Sequence, residues 1–309
     1  MVNWKIFSEI LLKAVQSKER RGGAGGRPAY NAILMFKILI LQRLYNLSDE
    51  QTEYQINDRL SFMRFLGLGL SDKVPDAKTI WLFRETLKNS GAAEELFSVF
   101  RDHLQAEGII THTGSIVDAS IIERRHQHIG KDAYTQLKEG KTPEEWQKPE
   151  NKNKVRQIDK DARITIKNKK MHYGYKLHSK VDADSKCIAK MKVTPANEAD
   201  NMHFVELLDE NTDKVVYADK GYVGKKIPER IKNQVHERAD RGHPLSEEAE
   251  ARNRQRTPIR ARIEHVFGSM KCGIIRCVGL LRAQFQLFML GLVYNMKRYC
   301  FEIEMLRKQ

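Results

Sequence analysis

SIVDASII, residues 115–122, is the stretch on which the reading of the fold turns. Ile116, Val117, Ile121 and Ile122 form a short β-branched apolar run, the composition of a buried strand. Asp118 stands inside it. An isolated carboxylate is costly in such a setting unless it is paired or binds a cation, so Asp118 is read either as a structural cap or ion pair or as a metal-binding group. Upstream the apolar period is about 3.6, and downstream it is 2. The change falls near Gly108 and sets a domain boundary: a helical domain over 1–108 and a second domain over 109–309. The expected class is α/β, strands and helices preceded by an all-helical domain.

In the first domain Trp4, Phe7, Ile10, Leu11 and Ala14 recur at helical spacing. RRGGAGGR (20–27) reads as a flexible basic linker, because its four glycines disfavour a helix. Residues 32–45 are apolar almost all round, the pattern of a helix at the centre of a bundle. Ser48 and Gln51 make a capping box for a helix over 49–60, and Asp76 caps another over 77–88. A last helix covers 92–105. The helices at 49–60 and 77–88 have the order of a helix-turn-helix. Asp49, Glu50, Glu53 and Asp58 make the first of them acidic, a poor match to DNA. This bundle is expected to serve DNA-end binding or dimerisation.

Beyond SIVDASII, strands are expected at 171–181, 187–194 and 214–218, with a short one near 234–238. Helices are expected at 201–208, 258–271 and 284–304. Residues 123–170 hold 14 Lys/Arg and 8 Asp/Glu, with Tyr134 and Trp146 as the aromatics. That composition reads as a solvated basic insertion, with one helix opened by Thr142-Pro143-Glu144-Glu145. The turn VDADSK accounts for Asp182 and Asp184.

The chain carries 54 Lys+Arg against 40 Asp+Glu, a net charge of +14. Residues 252–309 contribute 12 basic and 3 acidic side chains to that excess. Such a surplus favours a polyanionic partner, DNA or RNA. Four scattered cysteines make no disulfide framework, and Cys272 and Cys277 lack a second pair at zinc spacing. RRGGAGGR lacks the Lys-Ser/Thr of a nucleotide-binding loop. No secretory signal or bilayer-length apolar stretch is read, and a cytoplasmic location is expected.

Two further carboxylates join Asp118. Asp219 follows the apolar run Val215-Val216-Tyr217-Ala218, at the carboxyl end of a strand, where ligands gather in open α/β sheets. Glu264 lies on the helix whose buried stripe is Ile263, Val266, Phe267 and Met270, with Arg260 and Lys271 on its own face. Three carboxylates from two strands and a helix make an oxygen-only site suited to Mg²⁺ or Mn²⁺. Two such ions roughly 3.5–4 Å apart activate a water or a 3′-hydroxyl and stabilise the leaving oxygen of a phosphodiester. Arg260 and Lys271 would hold neighbouring phosphates.

SIVDASII, HYGYKLH (172–178), VVYADKGY (215–222) and IRARIEHVFGSMK (259–271) together resemble bacterial insertion-sequence transposases of the DDE superfamily, insertion-sequence family five. Residues 27–68 resemble the amino-terminal domain of the same family. The likeness spans about 27 to 300. It implies a ribonuclease-H-like catalytic fold, a mixed sheet flanked by helices, with Asp118, Asp219 and Glu264 as the catalytic, metal-binding triad. It also implies double-stranded DNA as partner, both terminal inverted repeats and target, and a homodimer that brings two ends together. Lys176 and His178 of HYGYKLH join Arg260 and Lys271 as expected DNA contacts. The family's tyrosine position is Thr257 here. DNA-bound protein would be nucleoid-associated. Two other readings compete: a catalytically inactive, transposase-derived DNA-binding protein, and a ribonuclease-H-like nuclease.

Overall fold

A computed structural model describes residues 2–19, 29–125, 129–139, 141–239, 242–270 and 274–308. The 20–27 linker, His126, His128, Lys271 and Cys272 lie outside the described residues. Two compact units emerge, Met1–Thr111 with Phe285–Gln309, and His112–Gln284. The sequence reading placed 284–304 with the sheet domain. Instead Phe285–Gln309 belongs with the amino-terminal helices.

In the first unit a 3-10 turn, Trp4–Phe7, leads into α1 (Ser8–Glu19). α2 (Ala32–Tyr45) opens with the Asn31 side chain accepting from the Ile33 and Leu34 amides and closes on Asn46 in the left-handed conformation. Both devices satisfy backbone groups that a helix end leaves unpaired. The Ser48–Gln51 capping box is formed, and α3 runs Asp49–Asp58. The expected helix then breaks at Arg59, and α4 (Leu60–Leu66) turns Phe62, Met63 and Leu66 into the core. α5 (Ala77–Asn89) is capped by Asp76, and α6 covers Ala92–Ala106.

The acidic face of α3 is used inside the unit. Asp49 takes two bonds from the Arg84 guanidinium, at 2.5 and 2.8 Å, and Glu53 accepts from the Ala77 amide. These charge-assisted bonds knit α3 to α5. With α4 between them, α3 and α5 are not the compact two-helix motif that their order suggested.

The second unit holds β1 (Ser115–Glu123), α7 (Lys131–Lys138), α8 (Lys152–Gln157), β2 (Arg163–Lys167), β3 (Lys170–Asp182), β4 (Ile188–Pro195), α9 (Phe204–Leu207), β5 (Val215–Ala218), β6 (Lys232–Asn233), α10 (Glu247–Arg260) and α11 (Arg262–Met270). α12 (Leu280–Leu306) begins here and ends in the first unit. There Phe288 meets Phe97 and Tyr299 meets Phe100, at ring-centroid distances of 5.9 and 6.0 Å.

Among the described residues the strands form one six-stranded mixed sheet. Its core order is β4-β3-β1-β5-β6, antiparallel through β4-β3-β1 and parallel through β1-β5-β6. This is the mixed sheet flanked by helices that the resemblance implied. One face carries a cluster of Val117, Phe204, Leu207, Val216, Ala218 and Tyr222, and α11 packs against β1.

The insertion is more structured than its composition suggested. β2 pairs with the start of β3 across Asn168-Lys169, both at positive φ, the two-residue type I′ hairpin geometry. The Thr142-Pro143 helix shrinks to a 3-10 turn, Glu144–Gln147, without a side-chain cap. Asp159 is fully buried: it accepts from the Tyr175 hydroxyl at 2.8 Å and the Gly279 amide at 3.0 Å, and pairs with Arg124 at 3.2 Å. This buried network ties the insertion to β1, β3 and the start of α12.

Gly174 permits the close approach of β3 to β1. Its φ is +153°, and a Cβ there would lie 2.2 Å from the Ile122 carbonyl oxygen. Backbone cannot yield as a flexible side chain can, so both strain and overlap oppose any other residue. Gly174→Ala is expected to destabilise the protein by about 3 kcal/mol, read as a lowered urea midpoint. Gly130→Ala, where a Cβ meets nothing within 4 Å, is the control and should change it little.

Candidate active site

The parallel register of β1 and β5 sets the site. Val117 lies opposite Ala218, and successive residues alternate between faces. Asp118 and Asp219 are the next residue on each chain, so they stand side by side where the parallel pairing ends, Asp219 as the cap of the 3-10 turn Lys220–Tyr222. α11 packs against β1 and α10 against β5. The sequence reading began this helix at Pro258. In fact α10 starts at Glu247, capped by Ser246, runs through Pro258 and ends at Arg260. α11 then opens at Arg262, with Ile263, Val266 and Met270 buried and Glu264 in its first turn. The Glu264 side chain is 62% exposed, so it stands further from the core than its neighbours suggested.

Asp118 and Glu264 line one cleft of about 540 Å³, together with Ser120, Lys167, Lys170 and His172. The Arg260 guanidinium lies between the two carboxylates, 3.8 Å from Asp118 and 3.2 Å from Glu264. Burial pushes the Asp118 carboxyl up to about 6, against the opposing pull of the Ala119 amide, Arg260 and Lys167. Asp200 adds to the upward push.

The Tyr222 hydroxyl, buried and without a hydrogen-bond partner among the described residues, was missed by the sequence reading. Burial raises its pKa, and the charges of Asp118, Asp200 and Asp219 raise it further. One phenol thus senses Asp118 and Asp219 together. The signal was present in Asp219-Lys220-Gly221-Tyr222, where a 3-10 turn bonds the Tyr222 amide to the Asp219 carbonyl at 3.0 Å. Lys167 and Lys170 were also missed, having been assigned to a solvated insertion.

Lys176 and His178 do not join this cleft. His178 lies opposite Ala119 and Lys176 opposite Ile121, which puts both on the other face of the sheet from Asp118. His178 is 1% exposed and bonded to the Thr194 hydroxyl at 2.9 Å. Burial, and then His203, push its pKa down to about 4, so the ring is neutral at pH 7. The Lys176 ammonium donates to the Glu198 carbonyl at 2.6 Å and pairs with Asp200 at 2.8 Å. Their assignment as DNA contacts is therefore corrected: both side chains are held within the fold. The Thr257 hydroxyl bonds back to the Asn253 carbonyl, on its own helix.

The model of the transposase DDE domain matches residues 110–296, and that of a second transposase domain, DUF772, matches residues 1–86. The chain belongs to the DDE transposase family. Among solved structures it is similar to a piggyBac transposase synaptic complex with hairpin DNA, at 11% identity and a TM-score of 0.45. That match covers 94% of this chain and 71% of the other. Its family makes it a DNA transposase. Among the described residues, no helix is long and apolar enough to cross a membrane.

Asp118, Asp219 and Glu264 of the transposase all fall within the matched DDE domain. Among the described residues, however, no three His, Cys, Asp or Glu side chains are placed to hold one metal ion. Asp118 and Glu264 share a cleft and an arginine rather than a coordination sphere. Cys277 is half-buried, and burial pushes its thiol up to about 11, which leaves it a poor nucleophile or ligand at neutral pH.

The Asp118 shift fixes the sign of a stability test. Its folded pKa, near 6, exceeds the unfolded value of about 3.9. Stability therefore falls as pH rises from about 4 to 6, and the full deficit persists above that range. Asp118→Asn is expected to stabilise the metal-free protein at pH 7.5 by about 2 kcal/mol, and by less at pH 5. Thermal melts of both proteins at the two pH values check this. An equal gain at both would mean that Asp118 is not the buried charge.

Proposed function

We propose that this transposase serves a bacterial insertion sequence of family five. It binds the terminal inverted repeats of its element, cleaves DNA at the ends and joins the 3′-hydroxyls to target DNA. What supports this reading is the position of Asp118 and Asp219 side by side where the parallel pairing of β1 and β5 ends, inside a DDE domain, with the Glu264 helix packed on β1. Asp118, Asp219 and Glu264 would hold Mg²⁺ or Mn²⁺, two ions per site. The donor chemistry fits, because all three offer hard oxygen ligands and Asp118, half-buried, is not held ionised at its ordinary pKa by the positive charge around it.

Bound there, divalent ions would activate a water or 3′-hydroxyl and stabilise the leaving oxygen. The remaining work falls to the chain itself. Arg260, released by Glu264, would hold a phosphate beside the reacting one, and Lys271 would hold another. Lys167 and Lys170 supply positive charge across the cleft. The amino-terminal helical unit would recognise the ends or join two protomers into a homodimer on DNA. The retained carboxylate triad favours an active enzyme over an inactive DNA-binding derivative.

Asp118→Ala, Asp219→Ala and Glu264→Ala should each abolish strand cleavage, by about 10³-fold or more, while duplex affinity stays within a few-fold. Cleavage of a labelled element-end duplex and a parallel gel shift measure the two effects. Mg²⁺ should also raise the melting temperature of the wild type but not of Asp118→Ala. Cleavage at the wild-type rate by any one variant would remove that residue from the site.

A further inference from the structure

Lys148, Lys152, Arg156 and Lys160 recur every four residues in the insertion. α8 begins at Lys152, so this spacing puts Lys152 and Arg156 on one side of that helix, while Lys148 is the extended residue just before the 3-10 turn Pro149–Asn151 that leads into it. Like charges four apart repel one another along a helix. Elsewhere in this chain exposed helical arginines and lysines meet a glutamate at that spacing: Arg254 with Glu250, Arg298 with Glu302, Lys308 with Glu304. Here the one acidic residue at that spacing is Glu144, four before Lys148, and the two form no ion pair among the described residues. Among the described residues Lys148, Lys152 and Arg156 make no ion pair, and all four cations are exposed.

The row borders a cleft of about 480 Å³ that contains no acidic side chain. Trp146 and Val155 supply its apolar lining, and the Lys160 ammonium sits 5.9 Å from the centre of the Trp146 ring. Concentrated positive charge that works against its own helix is relieved by a line of anions.

We propose that this row grips the phosphodiester backbone of duplex DNA, making α8 a second DNA-contact element apart from the Asp118 cleft. The proposal rests on the transposase reading. Seven residues, mostly β2, connect Lys160 to Lys167 on the wall of the Asp118 cleft, a span of at most about 24 Å. That is roughly seven base pairs at 3.4 Å each, so one duplex reaches both places. A single aromatic ring, already covered by Lys160, is not the stacking platform that single strands require, which favours a duplex. Contacts of this kind position DNA without reading its sequence.

The test uses the full chain carrying Lys148→Ala, Lys152→Ala and Arg156→Ala together, titrated with a 30-base-pair duplex by fluorescence anisotropy at several salt concentrations. Each lost phosphate contact removes about 0.9 from the slope of log affinity against log salt, so the slope should flatten by about 2–3. Lys148→Arg with Lys152→Arg should keep the wild-type slope. Removing like-charge repulsion should leave the melting temperature unchanged or raised, which separates lost binding from lost folding. With Trp4→Phe and Trp81→Phe, Trp146 is the one tryptophan left. Its emission should change on adding duplex, and that change should vanish in the triple alanine variant. Wild-type binding with an unaltered slope in the triple variant overturns the proposal alone. A flattened slope seen only with single-stranded DNA overturns the choice of a duplex. Absence of any duplex affinity in the wild type overturns the transposase reading with it.

Discussion

A half-buried carboxylate where two parallel strands part is the constraint around which the sheet unit is organised. β1 pairs with β3 along its length but with β5 only as far as Val117, so Asp118 sits where the parallel pairing ends, half-buried in the wall of the cleft. The fold offers its charge one backbone amide, an arginine at 3.8 Å and a lysine across the cleft. These do not fully offset burial, and the carboxyl remains up near 6. A protein selected for stability alone would place an apolar side chain here. Retaining Asp118 costs stability at neutral pH in a way typical of functional sites, where local rules are broken for chemistry.

The opposite ends of the same strands explain how the register survives. Asp213, just before β5, accepts from the Ser115 hydroxyl at 2.7 Å, where β1 begins, and from the Lys180 ammonium at 2.8 Å on β3. Burial alone would raise the Asp213 carboxyl. Bonding to His112, the charge and hydrogen bond of Lys180 and the Asp209 amide overcome that and hold it well below the usual carboxylate range. This buried cluster pins β1, β3 and β5 at one end. A one-residue slip between β1 and β5 would carry Asp219 away from its place beside Asp118. Polar groups far from the cleft thus help set these two carboxylates side by side.

What was legible in the sequence was what is local. The Ser48–Gln51 box, the Asp76 cap and the all-round apolar pattern of residues 32–45 each depend on a few neighbouring residues, and each appears in the structure. The placement of Asp118 in a strand and of Asp219 at a strand's end was likewise written in short apolar runs. The errors share a different cause. Lys176 and His178 were misassigned because the face of a β-residue depends on its pairing register, which no single strand reveals. Phe285–Gln309 went to the wrong unit because its partners, Phe97 and Phe100, lie nearly two hundred positions away in the chain. β2 was hidden by its charge, since Arg163–Lys167 is stabilised by a hairpin turn and the buried Asp159 network rather than by an apolar face of its own.

Arg260 links the metal-free geometry to the proposed chemistry. In the structure its guanidinium separates Asp118 from Glu264 and supplies the positive charge that two nearby carboxylates need. Its Nε atom has no hydrogen-bond partner among the described residues, although it is buried. A guanidinium presents five donors in a planar fork suited to phosphate oxygens, so this arrangement leaves its hydrogen-bonding capacity incompletely used. Under the proposed reaction, cations at the carboxylates would replace the charge that Arg260 now provides, and the fork would be free for DNA. Glu264, on the exposed first turn of α11 and beyond the break after α10, is the member of the triad least restrained by packing. Under the proposed reaction, any adjustment that brought these carboxylates to a common metal would fall on this helix end rather than on the sheet that carries Asp118.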